Sequence, residues 1–404
     1  MQKVQVIGTG LEYADLTPRH LEIISQARIL VGGREQLDWF PDHPGEKLEI
    51  KSPVQQVVDS IQAWMQDKQV VVLATGDPLF YGIGTTLIRD LGRENVDIHP
   101  NVSVMARAFS RIKKSWEDAS WISLHGRNTR ELLPTLALRK PLFVFTDSRN
   151  SPDQIARVVE QQAPGLWQMC VLECLGRPEE RIRWLSLEQA GRESFQEPNS
   201  LILCPEQDSG FQSGAPTLGG PDEDYLHESG IITKPEVRAV TLSKLDLKPE
   251  HVFWDLGAGS GAVAVEASLF VTRGRILAVE KNPERLEHIQ KNAQRFKAFQ
   301  VETLLLELPR GMEDLPDPDR IFVGGGGRDL PEILRQATSR LKPDGRIVMN
   351  LVVLETLNQA LDTLHELGMS TQTIQVQINQ GSEIPGGTRF QAKNPVFVVS
   401  AEFQ

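Results

Sequence analysis

The chain has 404 residues, of which 40% are hydrophobic and 24% charged, and its formal net charge is −11. This length predicts two or three domains, each with its own core, and the composition is typical of a globular protein. The negative charge argues against a polyanion-binding surface, so we expect no nucleic-acid partner, although a local basic pocket for an acidic small molecule is compatible with it. No apolar run approaches the ~18 residues of a membrane span, and we expect a cytoplasmic protein without signal peptide or membrane contact.

The three cysteines, Cys170, Cys174 and Cys204, cannot all pair with one another. Cys170 and Cys174 form a C-x₃-C pattern with no histidine nearby, which is not the spacing of a zinc site. We therefore expect three reduced, mostly buried thiols and no bound metal.

The N-terminal half, residues 1–205, has the alternating pattern of an α/β domain. Apolar residues at helical spacing predict a helix over Val54–Met65. Two predicted strands end in glycine-rich turns, Gly8-Thr-Gly10 and Thr75–Gly84. The strand-like runs are Val4–Gly8, Ala27–Gly32, Val70–Thr75, Trp121–His125, Leu142–Thr146, Gln168–Glu173 and Ser200–Cys204.

Residues 206–229 are rich in Gly, Pro and Ser and have no hydrophobic period, which predicts a linker. It divides the chain into two halves of similar size that do not resemble each other in sequence. We expect the second domain to occupy residues 230–404.

The second half contains the motif Asp255-Leu-Gly-Ala-Gly-Ser-Gly261 between a strand-like run and the predicted helix Val263–Leu269. A second apolar run, Ile276–Val279, ends in Glu280. Strand, glycine turn, helix, strand and acidic residue form the mononucleotide-binding half of a doubly wound fold. The glycines present main-chain amides to a ligand at a helix N-terminus, and a carboxylate in this position accepts hydrogen bonds from ribose hydroxyls.

The spacing G-x-G-x-G after an aspartate suits S-adenosylmethionine better than a dinucleotide, because no pyrophosphate has to be cradled. The alternative is a glycine turn that binds nothing. The predicted cofactor-binding residues of this motif are Asp255, Gly257, Ala258, Gly259, Ser260, Gly261 and Glu280.

The remaining pattern of the second half alternates strands and helices. Helices are predicted over Pro235–Leu245, Pro283–Phe296 with Asn282 as N-cap, and Leu330–Leu341 capped by Asp329. With the strands His251–Trp254 and Ile276–Val279, five more runs give seven strands and a doubly wound sheet with an antiparallel final strand. These five runs are Val301–Leu306, Ile321–Val323, Arg346–Leu351, Thr373–Ile378 and Val396–Phe403.

The N-terminal half resembles the tetrapyrrole (corrin and porphyrin) methyltransferases. The resemblance rests on Val6-Ile-Gly-Thr-Gly10 leading to Leu16-Thr-Pro18, and on Gly76-Asp-Pro-Leu-Phe-Tyr-Gly82 at a strand end. It implies a two-subdomain class III fold, with S-adenosylmethionine held between the subdomains largely by main-chain groups. The family's opening loop reads G-x-G-P-G-D, whereas Gly10 is followed here by Leu-Glu-Tyr, with Asp15 near the position of the usual acid.

Further segments match this family at Ser103–Ala106, Leu124–Arg127 and Glu173–Gly176. By the resemblance, His125 and Arg127 would contact substrate, and Asp77 would either orient a ligand or cap its turn. The implied cofactor-binding residues are Gly8, Ala74, Gly76, Asp77, Phe80, Ile83 and Ser103.

The C-terminal half resembles the class I precorrin methyltransferases that also decarboxylate their substrate. The matching segments are Gly230–Arg238, before the first strand, and Val323–Asp329, after the fourth. The resemblance implies a Rossmann-like domain with Thr233, Glu307 and Leu308 at the cofactor. The alternatives are an N-cap role for Thr233, a surface acid at Glu307 and a merely flexible turn at Gly324–Gly327. The implied substrate-binding residues are Lys234, Glu236, Arg238, Gly325, Gly326, Arg328 and Asn350. Ordinary surface charge is the alternative for the four charged residues among them.

The two halves in this order are similar to the bifunctional decarboxylating precorrin methyltransferases of cobalamin (vitamin B12) biosynthesis. The resemblance implies methylation of a precorrin at C5 by the first half. The second half would methylate C15 and remove the C12 acetate carboxyl, giving precorrin-8. It also implies two S-adenosylmethionine sites per chain and a homo-oligomer, but assigns no catalytic residue. Two alternatives are a class I RNA or protein methyltransferase, and a tetrapyrrole-binding protein in which only the C-terminal half is active.

Overall fold

The computed structural model describes residues 2–206, 214–228, 230–325 and 327–403. The chain divides into two compact units. One comprises residues 1–126, 140–156 and 168–204, and the other comprises residues 127–139, 157–167 and 205–404. Each unit is a layered α/β structure.

The N-terminal half contains ten strands and eight α-helices within its described residues. The strands are β1 (Val4–Gly8), β2 (Ile29–Gly32), β3 (Glu46–Glu49), β4 (Val70–Ala74), β5 (Val96–His99), β6 (Ser120–Ser123), β7 (Leu142–Phe145), β8 (Trp167–Glu173), β9 (Arg181–Ser186) and β10 (Asn199–Pro205). The helices are α1 (Pro18–Ser25), α2 (Arg34–Asp38), α3 (Val54–Trp64), α4 (Ile83–Leu91), α5 (Val104–Ile112), α6 (Leu133–Leu136), α7 (Pro152–Gln162) and α8 (Leu187–Ala190).

The first sheet has the order β3-β2-β4-β1-β5, and all of its pairs are parallel. Both faces are covered, because alternate residues of a strand point to opposite sides. In β4, Val70 and Val72 pack on one face, whereas Val71 and Leu73 pack on the other. A strand that is buried on both faces has a continuous apolar sequence, and for this reason β1 and β4 were predicted from the sequence.

The second sheet has the order β6-β7-β10-β8-β9 and is mixed. Residues of α5, among them Met105 and Phe109, pack on it beside Cys170 and Cys204. The three cysteines are buried, as predicted, and form no disulfide with one another. Burial raises the pKa of the Cys170 thiol to about 12.

The C-terminal half contributes nine strands and five α-helices in the part of the chain that the structure describes. The strands are β11 (Val252–Leu256), β12 (Arg275–Glu280), β13 (Val301–Leu305), β14 (Arg320–Val323), β15 (Arg346–Leu351), β16 (Met369–Val376), β17 (Asn379–Ile384), β18 (Gly387–Ala392) and β19 (Val396–Phe403). The helices are α9 (Pro235–Leu245), α10 (Ala262–Ala267), α11 (Pro283–Arg295), α12 (Leu330–Arg340) and α13 (Leu354–Glu366).

The seven-stranded sheet of this half has the order β13-β12-β11-β14-β15-β19-β16. The first five strands are parallel, and β19 runs antiparallel to both of its neighbours. The predicted doubly wound sheet with an antiparallel final strand is therefore confirmed. The chain leaves β11 toward β12 and β13 and returns through β14 to β15, so the order reverses between β11 and β14. Ligands of such sheets bind at this switch point, outside the carboxyl ends of the strands.

The predicted caps and strands of this half agree with the structure only in part. Asn282 caps α11, accepting hydrogen bonds from two main-chain N–H groups as predicted. Asp329 precedes α12 but makes no side-chain capping bond. The pair β17–β18 was not predicted, because its residues are almost all exposed and carry no alternating apolar pattern.

Part of the predicted linker packs into the C-terminal unit. Tyr225 is 4% exposed and belongs to the core beside Phe253 and Phe296. Residues 207–213 lie outside the described residues.

Candidate functional site

The glycine loop of the C-terminal half connects the end of β11 to α10 beneath the end of β12. The main-chain N–H groups of Gly257 and Ala258 donate to the carbonyl oxygen of Val279 at 2.9 and 3.0 Å. Gly261 has φ +73°, and a Cβ there would lie 2.7 Å from Cγ2 of Ile289. Only glycine fits this position, since both the backbone conformation and the neighbouring helix exclude a side chain.

Glu280 ends β12 with its carboxylate fixed by the main chain. One oxygen accepts a hydrogen bond from the N–H of Gly259 at 2.9 Å. The other accepts from Lys281 and Asn282 at 2.9 and 3.0 Å. The side chain is 5% exposed, so the acid is oriented at the strand's end rather than solvated. A carboxylate accepts up to four hydrogen bonds, which leaves capacity for a ligand hydroxyl.

Asp255 is fully buried at the start of the motif. One carboxylate oxygen accepts from the N–H of Ala264 at 3.1 Å, and the other has no protein partner among the described residues. Burial raises the pKa of Asp255 to about 7, and the nearby charge of Glu280 adds to the rise. A buried oxygen without a donor is uncommon in folded proteins and is satisfied by water or by a ligand.

A second glycine loop meets the first at the switch point. The N–H of Gly324 donates to the carbonyl of Leu256 at 2.9 Å, and a Cβ on Gly257 would lie 3.2 Å from the nitrogen of Gly325. Gly325 and Arg328 are exposed, whereas Gly326 lies outside the described residues. The structure thus brings together the predicted cofactor loop and part of the predicted substrate loop.

The segment before α9 and the first turn of α9 carry four predicted site residues with different surroundings. Glu236 is exposed and Thr233 half-buried. The ammonium of Lys234 donates to Asp222 at 2.8 Å. Arg238 is fully buried, with its guanidinium held by Glu266 at 2.6 Å. This burial is at odds with a substrate contact for Arg238, because a substrate carboxylate would have to displace an internal ion pair.

The remaining predicted residues of this half lie at the ends of β13 and β15. Glu307 is exposed, and Leu308 packs partly against the core. The side-chain amide of Asn350 donates a hydrogen bond to the hydroxyl of Thr241 at 2.9 Å.

An apolar rim that the sequence did not single out follows β15. Val352, Val353 and Leu354 are 61%, 49% and 58% exposed. Since β15 pairs in parallel with β14, the rim stands at the same edge of the sheet as the second glycine loop. Three consecutive exposed apolar residues after a strand end are the signal that would have found it.

In the N-terminal half, the two glycine turns are joined to each other. Gly10 and Gly76 exchange main-chain hydrogen bonds at 3.3 and 2.8 Å, and a Cβ on Gly8 would lie 2.7 Å from the carbonyl oxygen of Gly76. Ala74 is buried at the end of β4. The side-chain amide of Asn101 donates to the carbonyls of Gly8 and Asp15 at 2.9 and 3.0 Å.

The altered opening loop is held by Asp15. One carboxylate oxygen accepts from the N–H groups of Leu11 and Glu12 at 2.9 and 3.3 Å. The other pairs with Arg107, whose guanidinium also bonds Glu12 at 3.2 Å. Asp15 therefore organises the loop in the absence of the family's proline and second glycine.

The other predicted residues of the N-terminal turns have local partners. Asp77 accepts a hydrogen bond from the N–H of Leu79 at 2.9 Å, as expected of a turn cap. Ser103 caps α5 by accepting from Ala106 at 3.1 Å, and Ile83 begins α4. Phe80 packs between Trp121 and Phe145, with ring centroids 6.0 and 5.5 Å away.

A cavity of about 390 Å³ lies beside these turns. Thr75 and Val104, next to predicted cofactor residues, line it together with the predicted His125. Arg127 is exposed and lies 3.9 Å from Glu131. The sequence missed Asp147 and Arg177 in the cavity wall. Hydrogen bonds from main-chain N–H groups, first that of Gly126, lower the pKa of Asp147.

No group of three or more potential metal ligands occurs within the described ranges. Likewise, none of the described helices combines the length and apolar character needed to cross a membrane.

Two protein families match the chain. The Tetrapyrrole (Corrin/Porphyrin) Methylases match residues 3–191, and the Precorrin methyltransferase domain matches residues 224–402. A precorrin-6Y C(5,15)-methyltransferase (decarboxylating) from Sinorhizobium sp is 31% identical over 395 residues, which are 97% of this chain and 94% of the relative. The protein of the same name from Mycobacterium tuberculosis (strain CDC 1551 / Oshkosh) is 29% identical and covers 97% of each chain. A crystal structure of a precorrin-6y C5,15-methyltransferase from Geobacter metallireducens GS-15 is 41% identical and covers 47% of this chain and 100% of its own, with a TM-score of 0.45.

Proposed function

This chain belongs to the family of decarboxylating precorrin-6Y C(5,15)-methyltransferases, and from that premise we propose a division of labour between its halves. The N-terminal half methylates C5 of the precorrin. The C-terminal half methylates C15 and removes the carboxyl group of the C12 acetate. Both steps belong to cobalamin biosynthesis, and each half would use its own S-adenosylmethionine.

The observation that carries the proposal for the C-terminal half is the pairing of Glu280 with Gly259 beside the unpartnered oxygen of Asp255. The carboxylate of Glu280 is oriented to accept hydrogen bonds from a ribose. The buried oxygen of Asp255 fits a donor group of the same ligand. These residues therefore fit S-adenosylmethionine, which supplies an electrophilic methyl group when it is bound.

The second glycine loop and the apolar rim support a large, flat substrate on the other side of the switch point. Gly325 has no atom within 4 Å of a Cβ position, so this part of the loop leaves open space. Arg328 and Lys234 can attract the carboxylates of a precorrin. The rim Val352–Leu354 would exclude water from an acetate carboxylate, which destabilises the charged ground state relative to a transition state with dispersed charge.

For the N-terminal half, the cavity of about 390 Å³ beside the joined glycine turns supports a second cofactor site. His125 lies in its wall and would contact ligand from the end of the second sheet. The match to the tetrapyrrole methylases covers this region.

We also propose that the chain forms a homo-oligomer. The hairpin β17–β18 exposes Phe390 by 72% and Ile384 by 45%, and an isolated two-stranded hairpin is at best marginally stable in water. Contact with a second copy would cover these side chains. The three buried cysteines, which form no disulfide with one another, fit the reducing cytoplasm, which we propose as the location.

The proposal is tested with the full chain, methyl-labelled S-adenosylmethionine and a precorrin-6 substrate. Mass spectrometry should show two added methyl groups and the loss of one CO₂. Glu280→Ala should strongly reduce C15 methylation at limiting S-adenosylmethionine while C5 methylation continues. Labelling of RNA or protein instead of the tetrapyrrole would contradict the proposal. Products that carry the labelled methyl group at C15 but never at C5 would also contradict it.

A further inference from the structure

The C-terminal unit contains a fully buried ion pair outside the cofactor loop. Both Arg238, on α9, and Glu266, on α10, have no exposed side-chain surface, and Nε of Arg238 donates to Glu266 at 2.6 Å. A buried pair of this kind is costly unless further hydrogen bonds satisfy both groups. The partners that satisfy them show what the pair does.

Glu266 collects donors from the segment that precedes α9. Its oxygens accept from the N–H groups of Gly219 and Gly220 at 2.8 and 3.1 Å, and from the hydroxyl of Tyr225 at 3.2 Å. Arg238 donates in turn to the carbonyl oxygen of Gly220. The pair therefore fastens residues 219–225 to the body of the unit.

Arg238 also reaches the segment next to the cofactor loop. Its Nη1 donates to the carbonyl oxygen of Thr233 at 2.5 Å. Two residues earlier, Cγ2 of Ile231 lies 3.7 Å from the position of a Cβ on Gly259. The carboxylate of Asp222 bonds Lys234 at 2.8 Å and lies 3.5 Å from Arg238.

A second connection runs through Asn292. Its side-chain oxygen accepts from the N–H of Leu226, and its amide donates to the carbonyls of Leu226 and Ser260, each at 2.8 Å. Leu226, which follows the fastened residues 219–225, is thus joined to the glycine loop at Ser260, and Ile231 lies over the loop at Gly259.

We propose that Arg238 is a positioning residue for the C-terminal methyl-donor site, which fixes the Thr233 carbonyl and thereby the stretch 230–234 over Gly259. The inference rests on the proposed function of that site and replaces a direct substrate contact by Arg238. A planar guanidinium bonds Glu266 and two carbonyls at once, which a lysine ammonium in its place cannot do with the same geometry.

The test compares Arg238→Lys with Arg320→Lys in the full chain. Arg320 is a matched control, because it is also buried and also holds three main-chain carbonyls, those of Leu245, Asp319 and Asp344. It begins β14, however, at the edge of the sheet opposite the cofactor loops. Calorimetric titration with S-adenosylmethionine measures the affinity of each site. The binding component that Glu280→Ala weakens is assigned to the C-terminal site and is called the C-terminal component.

Both variants should melt at lower temperature. Arg238→Lys should raise the dissociation constant of the C-terminal component about tenfold, the scale of one or two lost hydrogen bonds, whereas Arg320→Lys should leave it within about twofold. Hydrogen exchange of residues 230–234 should accelerate in Arg238→Lys alone. Equal dissociation constants in the two variants would overturn the inference while the proposed function stood. If the wild type had no Glu280-dependent component, the proposed cofactor site would be wrong and the inference would fall with it.

If Arg238→Lys does not fold, Asp222→Asn supplies the same test at a partly exposed position, with Glu223→Gln as its neighbouring control. Asp222→Asn should weaken the C-terminal component about threefold by loosening Lys234 and Arg238. An unchanged affinity in Asp222→Asn, with unchanged exchange of residues 230–234, would also overturn the inference.

Discussion

The carboxylate of Glu280 accepts a hydrogen bond from the N–H of Gly259 over 2.9 Å, so the acid that ends β12 holds the loop that follows β11. The acid and the loop are therefore ordered together before any ligand binds. A site that is organised in advance loses less free energy on binding, because its groups need not be immobilised.

Replacing Glu280 with alanine should weaken S-adenosylmethionine binding at the C-terminal site by roughly 1.5–3 kcal/mol, the scale of a hydrogen bond to a charged group. Glu280→Gln should have a smaller effect, because the amide keeps one acceptor but loses the charge. Calorimetric titration of the full chain measures both, and the N-terminal component should not change.

Glu302→Gln provides the control for these substitutions. Glu302 is also a buried carboxylate and pairs with Arg275 at 2.8 and 2.9 Å, but it lies near the start of β13. Glu302→Gln should lower the melting temperature without changing the affinity for S-adenosylmethionine. If Glu302→Gln weakened binding as much as Glu280→Gln, the effect would be one of stability and the ribose role would be wrong.

Burial raises the pKa of Asp255 to about 7, so the folded protein favours the protonated acid. Stability from this group is fully present below the unfolded pKa near 4 and is lost as the pH rises to about 7. Asp255→Asn cannot ionise. Its stability relative to the wild type should therefore increase between pH 4 and pH 7, by at most roughly 4 kcal/mol for a shift of three pKa units, and stay level above.

Thermal melts of both proteins over a pH series measure this difference. A difference that is constant from pH 4 to pH 8 would show that Asp255 ionises normally in the folded chain. Saturating S-adenosylmethionine should reduce the pH dependence of the wild type, because a donor group would then stabilise the charged carboxylate.

The sequence predicted the parts of the molecule that follow from short-range pattern. The motif from Asp255 to Gly261, with Glu280 after the next strand, determines the loop geometry locally, and the structure has the predicted strands, loop and helix. The continuous apolar runs of β1, β4 and β11 identified them because both faces of their sheets are covered.

What could not be predicted depends on contacts between distant residues. Arg238 lies next to a predicted site, where an arginine is expected to be exposed. Only the fold shows that Glu266, on the neighbouring helix, is its partner. In the same way, the sequence around Gly219 and Gly220 is typical of a linker. Only the structure shows that Glu266 accepts hydrogen bonds from their N–H groups. Asn350 has Thr241 as a partner 109 residues earlier, which no local pattern reveals.

This packing of the predicted linker determines where the chain can be divided. A fragment of residues 214–404 keeps every donor to Glu266 and should melt cooperatively. A fragment of residues 227–404 loses Gly219, Gly220 and the hydroxyl of Tyr225, and leaves a buried carboxylate with too few donors. It should be less stable by roughly 3 kcal/mol or more, since each lost donor costs about 1 kcal/mol.

Calorimetric melts of the two fragments at equal concentration decide this prediction. Equal melting temperatures would mean that residues 214–226 do not stabilise the C-terminal unit. A fragment of residues 214–404 without a cooperative transition would contradict the independence of the C-terminal half.

Substitutions in the second glycine loop distinguish an effect on substrate binding from an effect on folding. A Cβ on Gly325 meets no atom within 4 Å, so Gly325→Val should fold with nearly the wild-type melting temperature. Gly214→Val is the matched control, since Gly214 also has open space around its Cβ position. Gly261→Ala, by contrast, places a Cβ 2.7 Å from Ile289 and should destabilise the unit.

Because C15 and the C12 acetate lie on one edge of the macrocycle, one pocket at this loop would serve both reactions. Gly325→Val should therefore reduce C15 methylation and decarboxylation together, while C5 methylation of a suitable precorrin continues. Mass spectrometry of the products distinguishes the steps, and Gly214→Val should give the wild-type pattern. Decarboxylation that persists in Gly325→Val after C15 methylation has stopped would place the two reactions in separate pockets. Loss of CO₂ with the isolated N-terminal half would contradict the division of labour itself.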